Sequence, residues 1–216
     1  MAKRKQSPPQ DTRTRITDAA LALFNLDGTH TVSTRHVAAR LGISPGNLYY
    51  HVGTTEEIVL ALYERIEREL LSIIAPPQAP IASFDAVLAY LDRLLAHLWS
   101  YRFFYRDLTG LLQDVPGLKD RYRGLAERAQ ENARQIFRRM IEQGWMEADD
   151  EQVELLAANA WIILSQWFTY WQVMSRRKSL QSSDIHEGIR HFVELFSPLL
   201  RPPQRRQVQR LLERTS

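Results

Sequence analysis

The 216 residues leave room for a small domain followed by a larger one, and a hydrophobic share of 44% is enough to fold them. Net charge is only +3, which excludes an indiscriminate polyanion binder and makes the placement of positive charge the informative quantity. The absence of cysteine excludes disulfides, thiolate zinc sites and cysteine nucleophiles. Positive charge gathers at the two ends. Lys3, Arg4, Lys5, Arg13 and Arg15 stand against Asp11 alone, and Arg201, Arg205, Arg206, Arg210 and Arg214 against Glu213. No apolar run follows the basic first residues, so a secretory signal is not expected and the cytoplasm is the expected location.

Residues 1–10, with Pro8, Pro9 and little apolar content, are expected to be a disordered basic tail. Helical periodicity begins at Thr12, with Ile16, Ala19, Ala20, Leu23 and Phe24 on one face, and stops at Asp27–Gly28. A short helix capped by Ser33 turns Val37, Ala38 and Leu41 inward and ends at Gly42. Ser44 caps a third helix with Pro45 at its first position, where a missing N–H costs nothing. Thr54 and Glu57 have the spacing of a capping box and open a fourth, with Ile58, Leu62, Ile66, Leu70 and Ile73 inward, ending at Pro76–Pro77.

Helices are predicted over Ala82–Ser100, Tyr101–Gln113 and Gly117–Gln143, the last with Leu118, Tyr122, Leu125, Ala129, Ile136 and Met140 on one face. Asp149–Asp150 then open a long uncharged helix, closed by Arg176, Arg177 and Lys178 in accord with its dipole. Another runs from Asp184, read as an N-cap, to Phe196, and Pro202–Pro203 precede a short basic helix with Val208, Leu211 and Leu212. No stretch alternates as a strand does. The predicted fold is all-α.

Leu155–Met174 carries no formal charge and is long enough for a membrane helix, which makes a membrane-tethered protein the alternative reading. At 100° per residue, however, Asn159, Ser165, Gln166, Thr169 and Gln172 share an arc of about 140°. A lone helix in lipid would not keep that stripe. Its aromatics also lie along the span instead of in belts at its ends, so a buried central helix and no membrane partner are expected.

Ser33–Tyr50 is two short helices joined by Leu41-Gly42-Ile43, the spacing of a helix-turn-helix, with Ala38 small enough for close approach. Its second helix, Ser44-Pro45-Gly46-Asn47-Leu48-Tyr49-Tyr50-His51, is poor core material. Gly46 lets backbone approach a phosphate or base edge, and the free N–H groups near Ser44 suit a phosphate oxygen. Tyr49, Tyr50 and His51 offer further donors.

From Thr12 to about Tyr63 the chain resembles the TetR family of bacterial transcriptional regulators. The matching residues are Ala22-Leu23-Phe24, the Gly28 break, Val37-Ala38-Ala39-Arg40-Leu41-Gly42-Ile43-Ser44, Gly46-Asn47-Leu48-Tyr49-Tyr50-His51 and Glu56-Glu57-Ile58. The resemblance implies a three-helix DNA-binding domain at 11–60, a helical effector-binding and dimerisation domain at 61–200, and a basic C-terminal helix or tail at 201–216. It implies that Thr34 and Arg35 touch phosphate or a base edge, and that Pro45, Gly46, Asn47 and Tyr50 face bases. Ser44, Tyr49, His51, Thr54 and Thr55 would then hold or border phosphates. Two positions depart from the family pattern: Val52 replaces its usual aromatic, and Thr55 its usual lysine. Arg13, Arg15 and the basic tail are expected to compensate for that lysine.

Behind this region, the residues at about 151–175 and 184–197, including Ile185, Ile189, Phe192, Val193 and Phe196, carry more apolar surface than one small domain needs. A homodimer through both helices is expected. Aromatics cluster at Trp99, Tyr101, Phe103, Phe104 and Tyr105, and again over Trp161–Trp171. The expected effector pocket combines Trp99, Phe103, Phe104 and Tyr170 with the polar directors His97, Asn159, Gln166 and Thr169. Its uncharged lining favours a small, largely apolar or aromatic effector.

No glycine-rich phosphate loop, G-x-S-x-G elbow or metal-ligand spacing occurs. An enzyme on a helical scaffold is therefore disfavoured, and no cofactor, metal or catalytic residue is expected. The expected function is a dimeric regulator, a repressor released by its effector from a near-palindromic double-stranded operator.

Overall fold

The computed structural model describes residues 11–76, 80–177 and 179–214. The expected disordered tail at 1–10, with Lys3, Arg4 and Lys5, lies outside these residues, as do Pro77 and Lys178. The described residues form α-helices and no strand, with one isolated bridge between Met146 and Leu200. The chain divides into two compact units, Met1–Arg65 and Ile66–Ser216.

In the first unit, α1 (Thr12–Asp27) buries Ile16, Ala20 and Phe24. It packs on α2 (Thr34–Leu41) and α3 (Pro45–His51). The turn between α2 and α3 is local chemistry. Gly42 sits at φ +67°, a conformation that costs a side-chain-bearing residue energy. Its N–H reaches Ala39 O at 3.2 Å while the Ile43 N–H reaches Ala38 O at 3.1 Å, closing the last carbonyls of α2. Ser44 Oγ then accepts the Asn47 N–H at 3.2 Å, and Pro45 occupies the first position of α3. The next helix, α4 (Thr55–Ile73), begins in this unit and ends in the second. Thr54 Oγ1 accepts the Glu57 N–H at 3.2 Å, but the Glu57 carboxylate reaches back to the Gly53 N–H at 2.8 Å instead of completing the expected reciprocal pair with Thr54. An Arg65–Asp18 ion pair of 2.6 Å ties α4 to α1.

The second unit continues with α5 (Phe84–Ser100), α6 (Arg102–Arg106), α7 (Leu108–Asp114), α8 (Leu118–Glu142), α9 (Asp150–Met174), α10 (Ser182–Phe196), a 3₁₀ turn at Ser197–Leu199, and α11 (Pro202–Arg214). Packing centres on α9, which touches α6, α8 and α10. Asp149 and Gln152 cap it reciprocally, at 2.8 and 2.9 Å, where the helix dipole favours the acid. Glu67, on the last part of α4, accepts from both Arg121 and Arg128 of α8.

Four element-level expectations change. The segment Tyr101–Gln113 is two helices, broken at Asp107, whose carboxylate accepts from Arg106 Nε at 2.9 Å. Asp184 is not the N-cap of α10: it lies inside the first turn, buried, and its carboxylate accepts the Gln181 N–H at 2.7 Å. Pro202 and Pro203 belong to α11, because a first turn has no N–H to lose. At the end of α4, Ile73 is only half-buried, and Ile74, just beyond the helix, is buried.

The packing of α10 against Trp167 of α9 depends on Gly188. A Cβ there would sit 2.7 Å from the Trp167 ring, whose Nε1–H is already engaged with the Asp184 carbonyl at 2.7 Å. The ring cannot move without losing that bond. Gly188→Ala is expected to cost about 1–3 kcal/mol, read as a lowered urea midpoint with the denaturant slope unchanged.

Candidate nucleic-acid interface and apolar cavities

Of the seven residues of α3, Leu48 is buried, with no exposed surface, and anchors the helix. Pro45, Gly46, Asn47, Tyr49 and Tyr50 are exposed, as is the capping Ser44; Tyr50 is 87% exposed. A large aromatic so uncovered is no part of the core. The space at Gly46 is open, since a Cβ there would meet nothing within 4 Å. What its absence makes room for is therefore outside the chain. The Tyr50 and His51 rings meet edge to face at 5.2 Å between centroids.

The other residues singled out for DNA are placed unevenly. Arg13, Arg15, Arg35 and Thr54 are exposed, and His51 and Thr55 half-buried. Thr34 is buried, its hydroxyl donating to the Tyr49 hydroxyl at 3.4 Å. It positions Tyr49 across the α2–α3 corner. The Asn47 N–H, one of the donors expected to be free for phosphate, is taken by Ser44. Arg40, exposed in the last turn of α2, joins the cations of this unit and was not singled out by the sequence.

Among the described residues of the second unit, two neighbouring cavities have apolar linings. The larger, of about 210 Å³, lies among α4, α5, α8 and α10, against Tyr90, Arg93, Phe137, Met140, Phe192 and Phe196. The smaller, of about 50 Å³, is lined by Leu70, Leu94, Leu98, Trp161 and Ser165 among others. The residues proposed for an effector from sequence line neither. His97, Phe103 and Phe104 are buried as core. Trp99 is half-buried under the Arg102 guanidinium, which lies 4.2 Å from its ring centroid. Thr169 is half-buried, and Asn159, Gln166 and Tyr170 are exposed. The reason is the orientation of α9. Its polar stripe divides, with Ser165 buried against the smaller cavity while Asn159, Gln166 and Gln172 face outward beside Leu155, Ile162, Tyr170 and Val173.

His97 lacks a hydrogen-bond partner at either ring nitrogen, although Glu69 Oε2 lies 3.9 Å from Nδ1. Burial outweighs that carboxylate and pushes the imidazole down from 6.5 to about 4. Unfolding restores the ordinary value, so between these two pH values the unfolded chain binds the extra proton. Stability is thus fully present above 6.5 and lost as pH falls toward 4. The loss is on the order of 3 kcal/mol. Urea unfolding at pH 7 and pH 4.5 is expected to show this, with a shallower pH dependence in His97→Leu.

Two family models cover most of the molecule. Residues 16–62 match "Bacterial regulatory proteins, tetR family" and residues 65–208 match "Bacterial transcriptional repressor" of the same TetR group. The chain belongs to the TetR family. It is a DNA-binding transcriptional regulator with a helix-turn-helix, and not an enzyme. A TetR-family regulator of solved structure from Marinobacter aquaeolei is 30% identical, with a TM-score of 0.84 over 95% of this chain and 99% of that one. SmeT, solved as a complex with triclosan, shares the fold at 16% identity, with a TM-score of 0.61 over 90% of this chain and 94% of that one. The Escherichia coli regulator UidR is 32% identical over 97 residues, covering 45% of this chain and 50% of that protein. The chain thus spans about half the length of the curated relatives it matches. No described helix, α9 included, is long and apolar enough to cross a membrane, which removes the membrane-tethered alternative for Leu155–Met174.

Proposed function

We propose that this TetR-family regulator is a homodimeric repressor, acting in the cytoplasm on a near-palindromic operator and released by a small, largely apolar effector. The observation that carries the DNA half is α3, held by Leu48 and exposing Asn47, Tyr49 and Tyr50. Asn47 is suited to read adenine in the major groove, and the tyrosine hydroxyls to hold phosphate oxygens. Arg13, Arg15, Arg35 and Arg40 supply the positive field that a Thr55 in place of lysine reduces.

The dimer reading rests on α9. Leu155, Ile162, Tyr170, Val173 and Met174 are large, apolar and exposed, and a two-fold partner would cover them. On α10, Ile185, Ile189, Phe192, Val193 and Phe196 are buried within the chain, so the exposed residues of α9 support this reading more than they do. Two recognition helices about 34–36 Å apart would then enter successive major grooves.

Release would run through α4. Leu70, Ile73 and Ile74 near its end line the cavities, while its start follows α3 by a few residues. A ligand that spreads the cavity walls favours a different α4 position and so a different recognition-helix spacing. The triclosan complex of SmeT shows a relative in fold holding a small molecule. The test is a gel shift of the DNA upstream of the protein's own gene, at low salt and at dimer-forming concentrations. Retardation that an apolar ligand reverses is expected, and no retardation would refute the reading.

A further inference from the structure

Building on the effector-release reading, we propose that the cavities take an unbranched medium-chain monocarboxylate, its head at Arg93 and its tail passing between Tyr90 and Phe192 into the smaller chamber. Tyr90, Ala133 and Phe192 line both cavities, so two rings and one methyl group separate them. The larger chamber alone, at about 210 Å³, is small beside the roughly 300–1,000 Å³ of most ligand sites. The smaller, at about 50 Å³, is too narrow for a fused ring system but admits a few methylenes.

The head group follows from charge. Among the described residues, Arg93 is the single charged one lining either chamber, and no acid lines them. It is exposed, and one of its N–H groups donates to the Ile73 carbonyl at 3.0 Å, leaving others of its five donors available for a carboxylate. Tyr90 stands one helical turn before it. Burial pushes that phenol up to about 12, against the opposing pull of Arg93, so it stays a neutral donor. An amine would meet like charge here, and a neutral alcohol would leave the guanidinium unused. Elsewhere the wall is Ile73, Ile81, Val87, Ile136, Phe137 and Met140, which suits a hydrocarbon body.

The probes are octanoate, dodecanoate below its micellar range, octanol and naphthoate, titrated calorimetrically into the full chain. Octanoate is expected to bind about tenfold tighter than octanol, and dodecanoate about tenfold tighter than octanoate. Arg93→Gln should bring octanoate down to the level of octanol. Ala133→Leu should leave octanoate binding in place and cancel the advantage of dodecanoate. Equal binding of octanol and octanoate, or an Arg93→Gln variant that binds octanoate as before, overturns the carboxylate assignment. Naphthoate binding above dodecanoate, or a dodecanoate advantage that survives Ala133→Leu, overturns the joined channel. A gel shift in parallel separates this proposal from the one beneath it. Dodecanoate that binds without releasing DNA refutes effector release and leaves the ligand class standing; release by octanol alone does the reverse.

Discussion

Leu48→Ala is expected to abolish specific DNA binding and to destabilise the first unit by about 2–5 kcal/mol. Leu48 is the one buried residue of α3, so its truncation removes the contact that sets the angle of the recognition helix against α1 and α2. The next exposed positions on the same helix should behave in the opposite way. Asn47→Ala and Tyr50→Ala remove exposed side chains outside the core, and each should leave the urea midpoint unchanged within about 0.5 kcal/mol. Each should nevertheless weaken specific binding by about 1–3 kcal/mol, or roughly tenfold to a hundredfold. Far-UV circular dichroism melts alongside fluorescence-anisotropy titrations of labelled upstream DNA would separate the two behaviours. A Tyr50→Ala protein that melts early, or binds DNA as before, would contradict the role given to that helix.

Arg177→Ala is expected to cost the second unit about 2–3 kcal/mol, below the 3–5 of a fully enclosed pair because Arg177 is half exposed. Asp184 is buried at the start of α10, and Arg177 is its charged partner. Without it the carboxylate keeps the Gln181 N–H but loses its counterion. The guanidinium also lies 5.7 Å from the Trp171 ring centroid, which adds a smaller loss. The discriminating measurement is a double-mutant cycle. Asp184→Asn retains an acceptor for the Gln181 N–H without a charge to compensate, so Arg177→Ala should cost far less in that background. Additive effects would mean the pair contributes nothing beyond its separate contacts.

The helix-turn-helix was legible because its determinants are local. Gly42 at positive φ, Ser44 as a cap, Pro45 at a first turn and Leu48 as an anchor all act within a few residues of one another. Helix ends that carry such signals were placed well, and those without them were not. The break at Asp107 has no glycine or proline to announce it, and the α10 start was misplaced because an aspartate three residues into a helix reads like an aspartate at its cap.

The cavities were illegible for a different reason. Their lining comes from six helices, and each contributes residues whose spacing is that of ordinary core. Only the meeting of Tyr90, Ala133 and Phe192 reveals a divided chamber, and that meeting is long-range. On α9, an amide facing a pocket and an amide facing outward give the same pattern in the chain. Tertiary packing placed Asn159 and Gln166 outside and Ser165 within.

The division at Arg65–Ile66 has a spectroscopic consequence. All 5 tryptophans, from Trp99 to Trp171, belong to the second unit. Intrinsic tryptophan emission therefore reports the state of the second unit and is blind to melting of the first. Tyrosine does not share this bias, since Tyr49, Tyr50 and Tyr63 lie in the first unit. Unfolding curves followed at the two emission bands would tell whether the halves melt as one cooperative block or in succession. A ligand that shifts only the tryptophan curve would be one whose binding energy never reaches the DNA-binding half.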